Sequence, residues 1–332
     1  MADIKARARI KRFFAEVPVQ CKWADQLIRK PMGVFLTGKG RLMQKRISLS
    51  AAVSVVIVGC CSTALAGSPM GPPRALVGHH RWVVDFEYAH QKIDLGTCGQ
   101  CKEAYDPLWW DNPFTSSARF KIRDLKSDMF FGSVGYGVRE NVDVFVRLGA
   151  ADAQDEIGPI EFTTCPDCEH YFDFDGGSGF AWGFGARATF CQKGNLAWGG
   201  LFQVTWADPG RSSLSWQNPE DPGERILGKM ELDWREIQIA TGPTWQVRDG
   251  LCIYGGPFWL FIRGDLDVES SWFPGATEAG RLICSHDVKE ESEFGGYCGA
   301  LWDVVRNTSL YAEYQFTSDA WGIGLGCIWR LE

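Results

Sequence analysis

The chain has 332 residues, 45% of them hydrophobic and 13% aromatic, with a formal net charge of −7, a composition that excludes a disordered polymer. Residues 1–46 hold 12 of the 34 Lys and Arg but only Asp3, Glu16 and Asp25 of the 41 acids, so from Gly67 onward 22 cations face 38 acids, a net of −16. A segment this acidic repels phosphates instead of releasing their counterions, which excludes nucleic acid as a partner.

Residues 1–42 form a basic extension in which Lys5 to Val17 has the make-up of an amphipathic helix. A complete export signal follows it, so the simpler reading makes Met43 the working start and leaves 1–42 out of the mature protein. Met43-Gln44-Lys45-Arg46, the apolar run Leu49 to Gly59 and Ala64-Leu65-Ala66 supply a basic start, a short hydrophobic centre and a small-x-small cleavage site. Residues 43–66 therefore read as a secretory signal peptide. The apolar run is about half the roughly 20 residues that span a bilayer as a helix, and its Val and Ile content argues against a buried core helix. Ile57-Val58-Gly59-Cys60 has the form of a lipobox, and lipoprotein processing at Cys60 is the alternative.

Residues 67–80, with Pro and Gly at Ser68 to Pro73, read as a linker, and 81–331 as one domain of alternating strands. Trp82, Val84, Phe86, Tyr88 and His90 share one face of the first strand. A tight hairpin comes next: Phe130 to Val138, the turn Arg139-Glu140-Asn141, then Val142 to Ala150 with Val144, Val146 and Leu148 on one face and Asp143, Phe145 and Arg147 on the other. Phe180 to Phe190 and Leu196 to Trp206 flank Lys193-Gly194-Asn195. Ile237 to Val247 and Cys252 to Leu266 flank Arg248-Asp249-Gly250. The opposite parity of Leu232 and Trp234 predicts a bulge near Arg235. Phe294 to Val304 and Leu310 to Phe316 flank Arg306-Asn307-Thr308, and Trp321 to Leu331 ends the set.

These ten strands are joined by three-residue turns on one side and by long polar connections (94–127, 152–178, 208–229 and 267–292) on the other. Long outer loops with short inner turns, on strands near the required 9 to 11 residues, are the pattern of a closed antiparallel up-and-down transmembrane β-barrel. Tryptophan gives an independent check, because indoles prefer the boundary between headgroups and hydrocarbon. Trp82, Trp198, Trp245, Trp302 and Trp329 fall near inner strand ends, and Trp182, Trp206, Trp234 and Trp321 near outer ones. Trp198 to Trp206 is about 27 Å along a strand, or roughly 20 Å of depth at a 40° tilt, against an expected belt of about 25 Å. A soluble two-sheet sandwich does not account for Trp at both ends of many strands.

The signal peptide, the ten amphipathic strands and the closing segment Gly326-Cys327-Ile328-Trp329-Arg330-Leu331 together resemble small Gram-negative outer-membrane β-barrels of the OmpA or opacity-porin type. The resemblance implies an outer-membrane location, lipid as surroundings, and recognition of the closing segment by the barrel-assembly machinery. This chain adds Glu332 and lacks a terminal Phe. The resemblance implies no catalytic motif and no cofactor, and it identifies no ligand.

On this topology Asp143, Arg147, Arg187, Glu236, Gln238, Glu313, Gln315 and Arg330 point inward. In a narrow barrel such charges pair and plug the lumen, and in a wider one they line a pore. Ten strands favour a structural or anchoring barrel with at most a narrow porin-like channel, and Arg147, Arg187 and Arg330 are expected to pair with Asp143, Glu236 or Glu313. Cys98/Cys101 and Cys165/Cys168 are two CxxC pairs in outer loops, where four thiolates suit zinc and an oxidising surface favours disulfides. Metal-binding or adhesive loops are thus one alternative. Cys252, Cys298 and Cys327 read as lipid-facing or packing residues. The rival from another class is a protease-like barrel enzyme using His286-Asp287 with a loop acid such as Asp173 or Asp175. A loop His beside an Asp is usually only solvated, and the expectation is no enzyme.

Overall fold

The structure, a computed structural model, describes residues 67–105, 114–119, 121–162, 165–217 and 222–331. Residues 1–42, expected as a basic extension, and 43–66, expected as a signal peptide, lie outside the described residues. The strands, in chain order, are β1 (Trp82–Tyr105), β2 (Phe114–Ala118), β3 (Lys121–Arg139), β4 (Val142–Ala151) and β5 (Gln154–Phe162). Next come β6 (Cys165–Asp175), β7 (Gly179–Lys193), β8 (Leu196–Asp208), β9 (Arg211–Gln217) and β10 (Arg225–Arg248). The last five are β11 (Leu251–Phe273), β12 (Gly280–Glu290), β13 (Phe294–Val305), β14 (Thr308–Phe316) and β15 (Ala320–Leu331).

Ten strands close a ring in the order β1-β3-β4-β7-β8-β10-β11-β13-β14-β15, and β15 returns to β1 through pairs from Trp82↔Leu331 to Ile93↔Ala320. Every neighbour is antiparallel, so each strand of the ring finds its backbone partners without an edge. The alternation then sorts the side chains. Val146, Leu148, Phe180, Phe184 and Leu325 stand exposed on the outer wall, while Asp143, Phe145, Arg147 and Arg187 are buried within. An apolar belt of this extent exceeds what a soluble protein exposes and matches a wall that meets lipid. No helix among the described residues is long and apolar enough to cross a membrane; the belt is carried by strands.

At one end the hairpins are tighter than the sequence suggests. The last pairs, Arg139↔Val142, Lys193↔Leu196, Arg248↔Leu251 and Val305↔Thr308, enclose two residues each, not three. Gly194 and Gly250 adopt φ of 57° and 73° in two of these turns, a conformation that glycine supplies without steric cost. Beside each turn the register slips by one, at Val138, Phe190, Val247 and Val304. All four of these side chains are apolar and exposed, so each bulge places one more hydrophobic group on the outer wall. The bulge expected near Arg235 is absent: Trp234↔Gly264, Arg235↔Arg263 and Glu236↔Ile262 pair in unbroken register. Leu232 and Trp234 have the parity of Glu236 and Gln238 and are buried inside, so Trp234 is core and not part of the outer girdle.

The connections expected as loops at the other end are largely strand. β1 and β10 run for 24 residues and β11 for 23, far past the belt. Above Leu95, β1 exchanges β15 for β12, and above Arg263, β11 exchanges β13 for β12, so one strand stands where the ring below has three. The wall narrows as it rises. Its interior there holds Leu95, Leu125, Met230, Trp234 and Leu266 in one buried apolar cluster. Period-two alternation through Leu282, Cys284, His286 and Val288 is what lets β12 join a sheet with an apolar interior.

Replacing Val144, Phe202 or Leu325, all exposed on the belt, by Arg is expected to lower stability by about 2–4 kcal/mol at the bilayer midplane. Urea titration of the refolded protein in lipid vesicles checks this, and unchanged midpoints would place these faces away from lipid.

Candidate functional site in the barrel lumen

Residues 67–77, expected as part of a linker, enter the barrel from the turn end and fill its lower half. Ser68 and Met70 are completely buried. An extended segment in this position brings backbone groups that water no longer reaches, and each must find a partner on the wall. The wall supplies them strand by strand. Ser68 donates from its backbone N and its Oγ to Glu236 Oε1, both at 2.7 Å. Its carbonyl accepts from Gln203 Nε2 at 3.3 Å and Gln315 Nε2 at 3.0 Å. Met70 N donates to Glu313 Oε1 at 3.0 Å, and Ala75 N to Thr189 Oγ1 at 3.1 Å. The backbone N–H groups of Leu76 and Val77 both donate to Asp143 Oδ2. Gly324 leaves room for the segment, since a Cβ there would come within 2.9 Å of Pro69 Cβ.

Two arginines tie this plug to the wall. Arg147 is 1% exposed; its Nη2 donates to Ser68 Oγ at 2.7 Å, its Nη1 to the Pro69 carbonyl at 3.3 Å, and Nη1 lies 3.6 Å from Glu87 Oε2. Arg187 donates to the Met70 carbonyl at 3.4 Å and lies 3.7 Å from Asp85 Oδ2 and 3.9 Å from Glu87 Oε1. Each guanidinium also sits over an aromatic ring, Arg147 over Phe131 at 4.5 Å and Arg187 over Phe145 at 4.7 Å. Tyr311 Oη completes the group by donating to Glu87 Oε1 at 3.1 Å. In water such pairs contribute little, but with both partners desolvated and hydrogen-bonded the loss of one leaves a stranded charge.

The structure places the inward residues named from sequence in this lumen: Asp143, Arg147, Arg187, Glu236, Gln238, Glu313 and Gln315 are all buried. Their partners differ from expectation. The arginines pair with Asp85 and Glu87 of β1, whereas Asp143, Glu236 and Glu313 receive the plug's own donors. Arg330 sits half-buried at the turn end, 3.5 Å from Asp303 Oδ1 and donating to the Leu76 carbonyl at 3.3 Å. Asp85, Glu87, Gln203, Thr205 and Tyr311 were not singled out from sequence, although inward parity marks them. Cys252, expected to be lipid-facing or packing, points inward beside Arg74, at 3.8 Å from Nη2. Cys298 is exposed and Cys327 half-buried.

Of the aromatic girdle, Trp82, Trp182, Trp198, Trp245, Trp302 and Trp329 are exposed on the outer wall, and Trp206 and Trp321 are half-buried. Trp182 and Trp206 stack at 4.3 Å. In the upper chamber Cys101 is disulfide-bonded to Cys284, its direct cross-strand partner, and not to Cys98. Cys98 is exposed with a free thiol, and the side chains of Cys165 and Cys168 lie outside the described residues. His286, expected in a loop, is on β12 with its ring inside, Nε2 lying 3.5 Å from Cys101 Sγ. Cys101, Cys284 and His286 are close enough together to hold a metal ion. The disulfide takes up both thiols, so this set does not fit zinc as it stands. Burial pulls the His286 pKa below its ordinary value, with the carboxylates of Asp267 and Asp287 acting the other way.

No protein-family model matches the chain, and no curated protein matches it. Solved structures similar to it include the Escherichia coli outer membrane protease OmpT, at 8% identity over 80% of this chain and 97% of that one, TM-score 0.35. The Pseudomonas putida toluene transporter TodX matches at 9% identity over 80% and 96%, TM-score 0.37. The Yersinia pestis attachment invasion locus protein Ail matches at 11% identity over 76% and 99%, TM-score 0.23. The fold and its outer belt define a closed ten-stranded transmembrane β-barrel, an assignment that rests on the ring and the exposed apolar wall. Within that class the chain is a barrel that carries its own plug, residues 67–77, with a second, apolar chamber above it.

Arg147→Ala leaves Glu87, among the described residues, with Arg187 as its one remaining cation and unties Ser68, and is expected to cost about 3–5 kcal/mol; the urea midpoint of the refolded variant reads it. Cys101→Ser should abolish the mobility shift that reductant causes on a denaturing gel, and Cys98→Ser should leave it. Because the unfolded chain protonates His286 near the ordinary value of 6.5 and the folded chain resists it, stability should fall as pH drops below about 6.5. The loss appears as a difference in pH dependence between the native protein and His286→Gln, and parallel profiles would contradict it.

Proposed function

We propose that this protein is an integral outer-membrane barrel of a Gram-negative-type bacterium, exported by its signal peptide, and that it serves as a structural anchor with a closed lumen. The observation that carries this reading is the occupation of the lumen by residues 67–77, whose backbone is bonded to Asp143, Thr189, Gln203, Glu236, Glu313 and Gln315. A pore needs a continuous wet path and groups weakly enough held to pass ions. Here the chain itself fills the polar layer and bonds to its wall, and a largely apolar cluster lies above it. The tall sheet above the belt then presents a rigid surface, cross-linked through Cys101 and Cys284.

The closing segment supports assembly by the barrel machinery, since β15 carries Trp329 and Leu331 outward and is the strand that seals the ring on β1. The reading includes no catalysis: His286 is buried in the chamber, beside a disulfide sulfur rather than at an open surface where a water is activated. Reconstitution in planar bilayers is expected to give no steady single-channel conductance. Discrete, lasting conductance steps would replace the anchor with a narrow channel.

A further inference from the structure

Among the described residues several buried luminal carboxylates keep one oxygen without a hydrogen bond, and Glu236 is the one that the start of the plug touches. Glu236 is wholly buried, and its Oε1 already accepts two hydrogen bonds from Ser68, while its Oε2 has none. Among the described residues no Lys, Arg or His forms an ion pair with it; the charge of Arg147 reaches it, but that guanidinium is bonded to Ser68, Thr205 and Pro69 and lies beside Glu87. The surroundings are also short of positive charge. Asp85, Glu87, Asp143, Glu236 and Glu313 are fully buried along the ring, against Arg147 and Arg187. A buried carboxylate without a counter-charge is costly, so a missing cation is the expectation.

Gly67 lies against this carboxylate. A Cβ built on it would come within 2.5 Å of Glu236 Oε1 and would also press on the Gln238 amide, so residue 67 stands directly against both side chains. Residue 67 is also the first after Ala64-Leu65-Ala66, the small-x-small cleavage site of the signal peptide. We infer that hydrolysis of the Ala66–Gly67 bond creates the missing cation, and that the α-ammonium of Gly67 is the ionic partner of Glu236 that seats the plug. In the reaction, a water adds to the Ala66 carbonyl carbon and the C–N bond breaks. Ala66 leaves with a carboxylate, and the Gly67 nitrogen, a peptide N–H until then, takes up protons to become an ammonium with three donors. The catalyst is the signal-peptide-cleaving protease of the export route. Cleavage thereby supplies a positive charge beside the Glu236 carboxylate.

The inference rests on the plug of the closed-lumen reading, but it is tested by the terminus and not by conductance. Mass spectrometry of protein purified from membranes should show a chain beginning at Gly67; a start at any other residue, including a lipidated Cys60, overturns it. An amine-reactive reagent at neutral pH should modify the Gly67 amine of the folded barrel at least about 100-fold more slowly than that of the urea-unfolded chain. Equal rates overturn it, whether or not the barrel conducts. Coupling to Glu236 is read separately, by refolding chains that begin at Gly67 or at Ala66, each with Glu or Gln at 236. The extra alanine should lower the urea midpoint of the Glu236 protein and do so much less in E236Q. An identical shift in both backgrounds overturns the pairing, and if E236Q does not refold, acetylation of the Gly67 amine before refolding gives the same comparison with Glu236 intact, no change in midpoint being the contrary result.

Discussion

A β-strand has two faces, and in a closed ring they meet two different media. Each apolar residue that the wall offers to lipid forces its neighbour into a lumen too narrow for bulk water. In β4, Val144, Val146 and Leu148 face out, and so Asp143 and Arg147 must face in. The charges inside are therefore a consequence of the apolar belt, and the rest of the structure is an answer to them. They need partners, and the partners come from within the chain.

The answer is a segment of backbone. Peptide N–H and C=O groups are an adaptable set of donors and acceptors, and an extended stretch can present both to walls on every side. Residues 68–77 thus donate N–H groups to one oxygen each of Glu236, Glu313 and Asp143, and their carbonyls accept from Arg147, Arg187, Gln203 and Gln315. The proline and glycine content that makes Ser68 to Pro73 look like a linker suits this role, because such a stretch forms no sheet or helix of its own to compete with the wall. Anchoring through backbone also makes the plug part of the fold, with the plug and the wall each leaving buried groups unpaired without the other.

Above the belt the same alternation has a different outcome. The inward residues of the tall strands are mostly apolar, with Glu103, His286 and Glu290 among the exceptions, and a single strand, β12, replaces three, so the chamber narrows onto a largely apolar core. Cys101 and Cys284 meet there because β1 and β12 are paired in the register that sets them opposite each other. His286 is drawn into the same interior by its parity with Cys284, and its environment is that of a core residue.

Period-two alternation, short turns around Gly194 and Gly250 and tryptophans at strand ends are local properties of the chain, and they were enough for ten ring strands, their order and the side that most residues face, Trp234 being core where the girdle was expected. So Asp143, Arg147, Glu236 and Glu313 were legible as inward residues. Which of them pair was not, because pairing depends on the register of ring closure and on residues far apart in sequence: Glu87 with Arg147, Asp85 with Arg187, and Cys101 with Cys284 across a separation of 183 residues. The strands within the outer connections were missed because their alternation is interrupted by polar and turn-forming residues, and only a neighbour in the sheet gives them a reason to extend. The place of residues 67–77 was decided by tertiary structure alone. Nothing in an irregular stretch records which donors it will meet, and only the closed wall, with its unpaired carboxylates and guanidinium groups facing inward, makes the lumen the place where that backbone is satisfied.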